Sequence, residues 1–223
     1  MSDLEEAKNF VYNILLTDKT TENQIELYDE IADTYDQKCV ETLYYFPEIL
    51  SRELETFNLP RDSKILDVGA GTGLLGKLLH ASKYTNVDAL DGCATMLEHA
   101  RKLTGVYKNY TQALVVADKE LPIPAKTYDI ALMSGSASPA HIDVTAYKQI
   151  IRVVKPGGII GWILEDADTC VEVNSRFQDD FYMKTLQKFV DEKLWVAVDG
   201  YNPKTIANAL LNRPGDVFFY KVL

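Results

Sequence analysis

Apolar positions recur along this chain at two different periods, and the period changes near residue 60. Before that point the spacing is helical. Leu4, Ala7, Val11, Ile14 and Leu15 share one face of "DLEEAKNFVYNILL", and residues 24–57 carry a second helical stretch, interrupted near Tyr35–Asp36 and at Pro47. Thr17–Asn23 is a polar break, and Pro60 closes the section. Beyond it, short apolar runs alternate with helical segments. Strands are expected at Lys64–Val68, Asn86–Leu90, Ala113–Ala117, Tyr128–Met133 and Ile159–Leu164, and helices at Leu74–Ser82, Ala94–Thr104, Val144–Val153 and around Asp179–Glu192. "KPGG" at residues 155–158 reads as a helix stop and a turn. Leu194–Val198 and Val217–Val222 complete the strands, with only a short turn at Thr205–Leu211 between them, which suits antiparallel pairing at one edge.

Strands alternating with helices imply a mostly parallel sheet covered on both faces. The expected fold is α/β: a three-layer αβα Rossmann-like sheet of seven strands, mostly parallel with the last strand antiparallel. A helical lid at 1–60 precedes a core at 61–223. In such sheets, ligands bind beyond the carboxyl ends of the strands.

Composition narrows the classes. The 223 residues are 47% hydrophobic and 25% charged, enough for one ordinary globular core. The formal net charge of −10 opposes binding to phosphate backbones and anionic membranes, so nucleic acid is disfavoured as a partner. Cys39, Cys93 and Cys170 are scattered, and His80, His99 and His141 lack metal-ligand spacing, so neither a disulfide framework nor a metal site is expected. "MSDLEEAKNF" is acidic and no apolar segment follows it; with no run near the roughly 18 apolar residues of a membrane span, a cytoplasmic setting is expected.

The chemistry concentrates in "ILDVGAGTGLLGKLL", Ile65–Leu79, where a strand meets a helix through three glycines. Gly69 and Gly71 fit a pyrophosphate-binding G-x-G-x-x-G, but the third glycine position holds Leu74 and the glycine falls one place early, at Gly73. Asp67 just ahead of the loop would repel a pyrophosphate and attract a cation. S-adenosylmethionine, which carries a sulfonium and an ammonium, fits that demand, with its carboxylate at the helix N-terminus. Asp91 closes the second strand at the spacing of a ribose-binding acid.

These residues in this order resemble the class I S-adenosylmethionine-dependent methyltransferases. Asp67-Val68-Gly69-Ala70-Gly71-Thr72-Gly73 looks like the family's first motif, and Asp91, with Gly92, Met96 and Leu97, like its second. Asp118 and Lys119 before "LPIP" look like the adenine-contacting segment, although the family's acid more often falls where Ala117 stands here. "YDIALMSGS", with Ser134, and "KPGG" look like the fourth- and fifth-strand motifs. "YDEIADTYDQ" and "YYFPEIL" are similar to the opening segment of the methyltransferase-like group of the Williams–Beuren syndrome region, which implies that Tyr28 and Tyr35 close over the methionine end of the cofactor.

The resemblance implies methyl transfer from S-adenosylmethionine, leaving S-adenosylhomocysteine, to a small molecule or a protein side chain. Such transfer is chiefly a matter of alignment, so no catalytic side chain is obligatory. His141 in "GSASPAHI" is a candidate base, and Glu165, Asp166 and Asp168 in "EDAD" are candidates for holding an amine, or else simply solvated acids. Ser134-Gly135-Ser136-Ala137 stands where base and glutamine methylases carry Asn-Pro-Pro-Tyr-like sequences, which points away from those acceptors. A cofactor-binding protein without catalysis, a nicotinamide-dependent oxidoreductase and an aminopropyltransferase are the competing readings.

Overall fold

The computed structural model describes residues 3–16, 21–138, 140–173 and 175–223, so residues 17–20 of the expected polar break lie outside the described residues. The chain opens with helix α1 (Asp3–Val11), a π turn at Tyr12–Leu16, α2 (Thr21–Ile31), α3 (Tyr35–Glu41) and α4 (Phe46–Glu55). Pro47 falls in the first turn of α4, where its missing N–H costs nothing. Then come β1 (Ile65–Val68), α5 (Leu74–Ala81), β2 (Val87–Asp91), α6 (Ala94–Arg101), β3 (Tyr110–Gln112), β4 (Tyr128–Ser134), α7 (Tyr147–Val153), β5 (Val154–Glu165), α8 (Ala167–Val173), α9 (Phe181–Asp191), β6 (Trp195–Ala197), β7 (Lys204–Leu210) and β8 (Arg213–Val222).

The sheet runs β3-β2-β1-β4-β5-β8-β6, with β7 also on the outer edge of β8. The first five strands are parallel, and β8 runs antiparallel to β5, β6 and β7. One core lies on the side of α4, α5 and α6, and includes Phe46, Leu50, Leu75, Leu79 and Leu97; the other lies under α7 and α9, and includes Tyr147, Ile150, Leu186 and Phe189. On the second side Trp162 stacks on Trp195, Phe218 and Tyr220, and its indole N–H donates to Tyr182 at 2.8 Å. No helix among the described residues is long and apolar enough to cross a membrane.

Three details differ from the sequence expectation. The sheet has an eighth strand, β7, where a short turn at Thr205–Leu211 was expected. Leu211 and Asn212 both take positive φ, 48° and 60°, which fits a two-residue hairpin whose twist matches its strands and returns Arg213 opposite Leu210. The third strand is Tyr110–Gln112, because Ala89–Asp91 pair with those residues, and Ala113–Ala117 continues as a wall beyond the sheet. "KPGG" lies inside β5, which begins at Val154 opposite Tyr128 and passes a register shift before Ile159.

Gly76 on α5 shows why a glycine is needed within a helix. A Cβ there would sit 2.2 Å from the Tyr107 hydroxyl oxygen and 2.3 Å from its Cζ. Tyr107 is thereby allowed to lie flat against α5 and reach the end of β1. Gly76→Ala is expected to destabilise the fold by about 1–3 kcal/mol despite alanine's better helix propensity, read as a lower urea midpoint. A neutral or raised midpoint would mean that Tyr107 moves aside freely.

Candidate functional site

Period-two alternation fixes which side chains meet. Ile65, Ala89, Leu132 and Ile163 all enter the core beneath α4 and α5, so the residues two further on, Asp67, Asp91, Ser134 and Glu165, share that face at the carboxyl ends of four neighbouring strands.

The glycine loop is held from three directions. The N–H groups of Gly69 and Ala70 both donate to the Leu90 carbonyl, at 2.7 and 3.0 Å. From the other side the Ser136 hydroxyl donates to the Val68 carbonyl at 2.5 Å. A Cβ on Gly69, which sits at φ +71°, would fall 2.3 Å from the Ser136 Cβ, so no other residue fits. The loop then offers the Gly71 N–H to Asp91 Oδ2 at 2.8 Å, while the Cys93 N–H donates to Asp91 Oδ1 at 2.8 Å. Burial raises the Asp91 carboxyl above the usual range, and the N–H groups of Cys93, Gly71 and Gly92 pull it back. The carboxylate retains acceptor capacity for a ligand hydroxyl.

A cavity of about 610 Å³ opens above these strand ends, within the usual range for small-molecule sites. Of the residues expected from sequence, Gly69, Gly71, Asp91, Gly92, Met96, Ser134, Tyr28, Tyr35 and His141 line it. Asp67 and Ala70 line a smaller recess beneath the loop. Gly73 turns into α5 at φ 94° with Leu103 and Tyr107 behind it. Asp118 and Lys119 lie in an exposed turn outside the wall, which runs instead through Ala113–Ala117. No lysine or arginine lines the cavity among the described residues.

The first helices cover this cavity. The Tyr28 hydroxyl lies 2.6 Å from His141 Nε2, and the Gln24 amide nitrogen 3.2 Å from the same atom. That amide nitrogen can only donate, and it also donates to the Ile14 carbonyl at 2.7 Å, so Nε2 is the acceptor. Burial holds the Tyr28 phenol well above its usual range, keeping its proton. A base role for His141 through Nε2 would therefore need Tyr28 to leave. Further clasps are Asp36 to the Thr72 hydroxyl at 2.5 Å and to Lys77 at 3.0 Å, the Cys93 thiol to Asp29 at 3.1 Å, and the Tyr44 hydroxyl to the Ser134 carbonyl at 3.1 Å.

Two acids at the site are fully buried. Asp67 accepts from the Tyr107 hydroxyl at 2.6 Å, yet desolvation lifts it to about 7. Glu165 is likewise pushed up to about 7 by desolvation. The "EDAD" acids separate completely: Asp166 accepts from the N–H and hydroxyl of Thr169 in the first turn of α8, and Asp168 is exposed. Tyr107 and the burial of Glu165 escaped the sequence reading; the glycine at 76 was the one local sign that something presses on α5.

The strand order and this site define a Rossmann-like methyltransferase fold. Residues 65–158 match the family model described as "Methyltransferase domain". Human Methyltransferase-like protein 27 is 31% identical over 141 residues, 61% of this chain and 56% of that protein. The chain spans under two thirds of the length of the curated relatives it matches. Among solved structures, a chain of the complex between the Haloferax volcanii Trm112 methyltransferase activator and a methyltransferase superposes with TM-score 0.66 at 15% identity, covering 87% of this chain and 95% of that one. An S-adenosylmethionine-dependent methyltransferase from Thermotoga maritima does so with TM-score 0.57 at 16% identity, covering 88% and 98%. The domain and its relatives imply S-adenosylmethionine as the cofactor. The cavity fits it: acids and no cation at the wall suit a sulfonium and an ammonium, and Asp91 suits a ribose.

Because the folded-state value of Glu165 lies above its unfolded one, its contribution to stability is present below about 4.5 and is lost as pH rises through about 7. Glu165→Gln is therefore expected to stabilise the empty protein at pH 8 by on the order of 1–3 kcal/mol, with the gain shrinking towards pH 5. Urea melts across that range check it; a difference independent of pH would mean that the carboxyl is solvated.

Proposed function

We propose that this chain is an S-adenosylmethionine-dependent methyltransferase, EC 2.1.1.-, acting on a small molecule or a protein side chain. The observation that carries the reading is Asp91, fixed by the Gly71 and Cys93 N–H groups in the wall of a cavity that no lysine or arginine lines among the described residues. In this reading Asp91 accepts from the ribose hydroxyls. Gly69, Ala70, Gly71 and Gly73 admit the cofactor's methionine part close to backbone, with Asp67 beneath as the counter-charge. Met96, Gly92 and the 113–117 wall flank the adenine, with the Asp118–Lys119 turn beyond. When bound, the cofactor supplies an electrophilic methyl group on sulfur. The chain's own part is to align an acceptor with it, at the Ser134 end of β4, and to exclude water.

Within residues 1–60, α1–α3 act as the lid, and Tyr28 and Tyr35 close over the methionine end. The finer kinship with the Williams–Beuren region group rests on Tyr28–Gln37 and Tyr44–Leu50.

Calorimetry with S-adenosylmethionine, S-adenosylhomocysteine and NAD tests the reading. The two sulfur compounds are expected to bind and NAD is not. Asp91→Ala is expected to weaken S-adenosylhomocysteine about 10- to 150-fold, the loss of a charge-assisted hydrogen bond of ~1.5–3 kcal/mol. Unchanged affinity in a folded variant would remove Asp91 from the site. Tight binding with no methyl transferred to any acceptor pool would favour a non-catalytic cofactor-binding protein.

A further inference from the structure

Beyond the glycine loop and Asp91, the same end of the sheet holds a second set of polar groups that the cofactor reading leaves unused. Glu165 is only 3% exposed, and among the described residues no hydrogen bond of normal geometry reaches either of its carboxyl oxygens, although the Ser138 hydroxyl and its own backbone N–H stand close enough to favour its ionised form. Native proteins rarely leave such a group unsatisfied without a reason. Ser138, 1% exposed, faces it, and among the described residues the Ser138 and Ser134 hydroxyls make no other hydrogen bond. Within the same residues Oε1 of Gln24 makes none, and its amide nitrogen is already committed to Ile14 and His141. Glu165 stands on the same face as Ser134, two residues beyond Ile163, which pairs with Ser134 across the β4–β5 ladder. Glu165 and Ser138 do not themselves line the cavity; Ser134 does, as do Tyr28 and Tyr44, and both tyrosines feel the charge of Glu165.

The unfilled capacity in this group is mostly that of acceptors, and one of them ionises. The other charged or titratable groups near Glu165 do not satisfy it. Asp166 repels it, Cys170 is a buried thiol kept protonated, and Arg213 is half exposed with its guanidinium 3.9 Å from Glu172. The cavity wall includes the apolar or aromatic residues Tyr28, Tyr35, Tyr44, Ala140, Ile142 and Phe181 beside polar His141, Asp143 and Thr145.

We propose that Glu165, with Ser138 beside it, is the recognition site for the protonated amine of an apolar, aromatic-sized methyl acceptor. The inference rests on the methyltransferase reading and names its substrate class. An ammonium supplies the N–H donors that Glu165 lacks. Its charge favours the ionised carboxylate, so binding near neutral pH drives a proton off Glu165 into solvent. Asp67 cannot serve this purpose, because it lies at β1, across β4 from Glu165, and is already engaged by Tyr107.

The test uses full-length protein saturated with S-adenosylhomocysteine, titrated with 2-phenylethylamine and its neutral analogue 2-phenylethanol. The amine is expected to bind at least about tenfold tighter than the alcohol, with proton release near pH 7 seen as a heat that varies with buffer ionisation. Glu165→Gln is expected to abolish both the preference and the proton release while leaving S-adenosylhomocysteine affinity within about twofold; Glu165→Asp should restore part of the preference. Equal binding of amine and alcohol, no binding of either at millimolar concentration, or a preference that survives in Glu165→Gln would overturn the inference. A Glu165→Gln variant that loses S-adenosylhomocysteine instead would assign the carboxyl to the cofactor, and the inference would fall. Failure of wild-type protein to bind S-adenosylhomocysteine at all would sink the methyltransferase reading and this inference with it, an outcome separate from the others.

Discussion

Three strand ends converge on the backbone of Gly69. The Leu90 carbonyl at the end of β2 takes the N–H groups of Gly69 and Ala70, and Ser136, just past β4, presses where a Cβ would stand while bonding the Val68 carbonyl. This one contact fixes how far β1 and its neighbours splay. A side chain at residue 69 would push Ser136 away and, with it, the segment that carries Ser134 and His141. A loop free to drift from Leu90 would lose the Gly71 N–H that orients Asp91. The precision of the ligand-facing groups thus depends on a missing side chain rather than on any strong bond.

The helices that cover the cavity depend on the same rim. Their contacts reach three of the strand ends: Thr72 after β1, Cys93 after β2, and Ser134 and His141 at or after β4. Each is a single polar contact of modest net worth, about 0.5–1.5 kcal/mol when neutral. Apolar burial adds to them: Val11, Ile14 and Cys39 join the core cluster of Phe46 and Leu50, and Ala32 packs with Cys93 and Met96. α4 lies against the sheet more completely, through Phe46, Leu50 and Leu54, all fully buried.

What the sequence revealed follows how local each determinant is. The glycine loop and Asp91 are readable because strand, turn and helix lie within a few dozen residues and period-two spacing sets their face. Tyr28, Tyr35 and His141 could be named from motif position, but their meeting across 113 residues in the Tyr28–His141 pair depends on folding. β7 was hidden because "TIANALL" has no strand alternation; its pairing comes from the Leu211–Asn212 turn and from β8. The acids in "EDAD" look alike in sequence. Only the end of β5, where the alternation carries Glu165 inward and the chain then turns into α8, separates a buried carboxyl from a helix cap and a solvent-facing acid.

That separation also divides the site. β1 and β5 flank β4 on opposite sides, so Asp67 and Glu165 stand at two ends of one row with Ser134 between them. Both are desolvated enough to sit near neutrality, and neither faces a buried cation. The sequence places its acids where two positive groups can approach from opposite flanks, one over β1 and one over β5, and no lysine or arginine lines the cavity between them among the described residues. In the proposed reading the first flank takes the sulfonium cofactor and the second takes the acceptor. The reacting atoms then meet at the end of β4, which the packing of Gly69 against Ser136 holds most tightly.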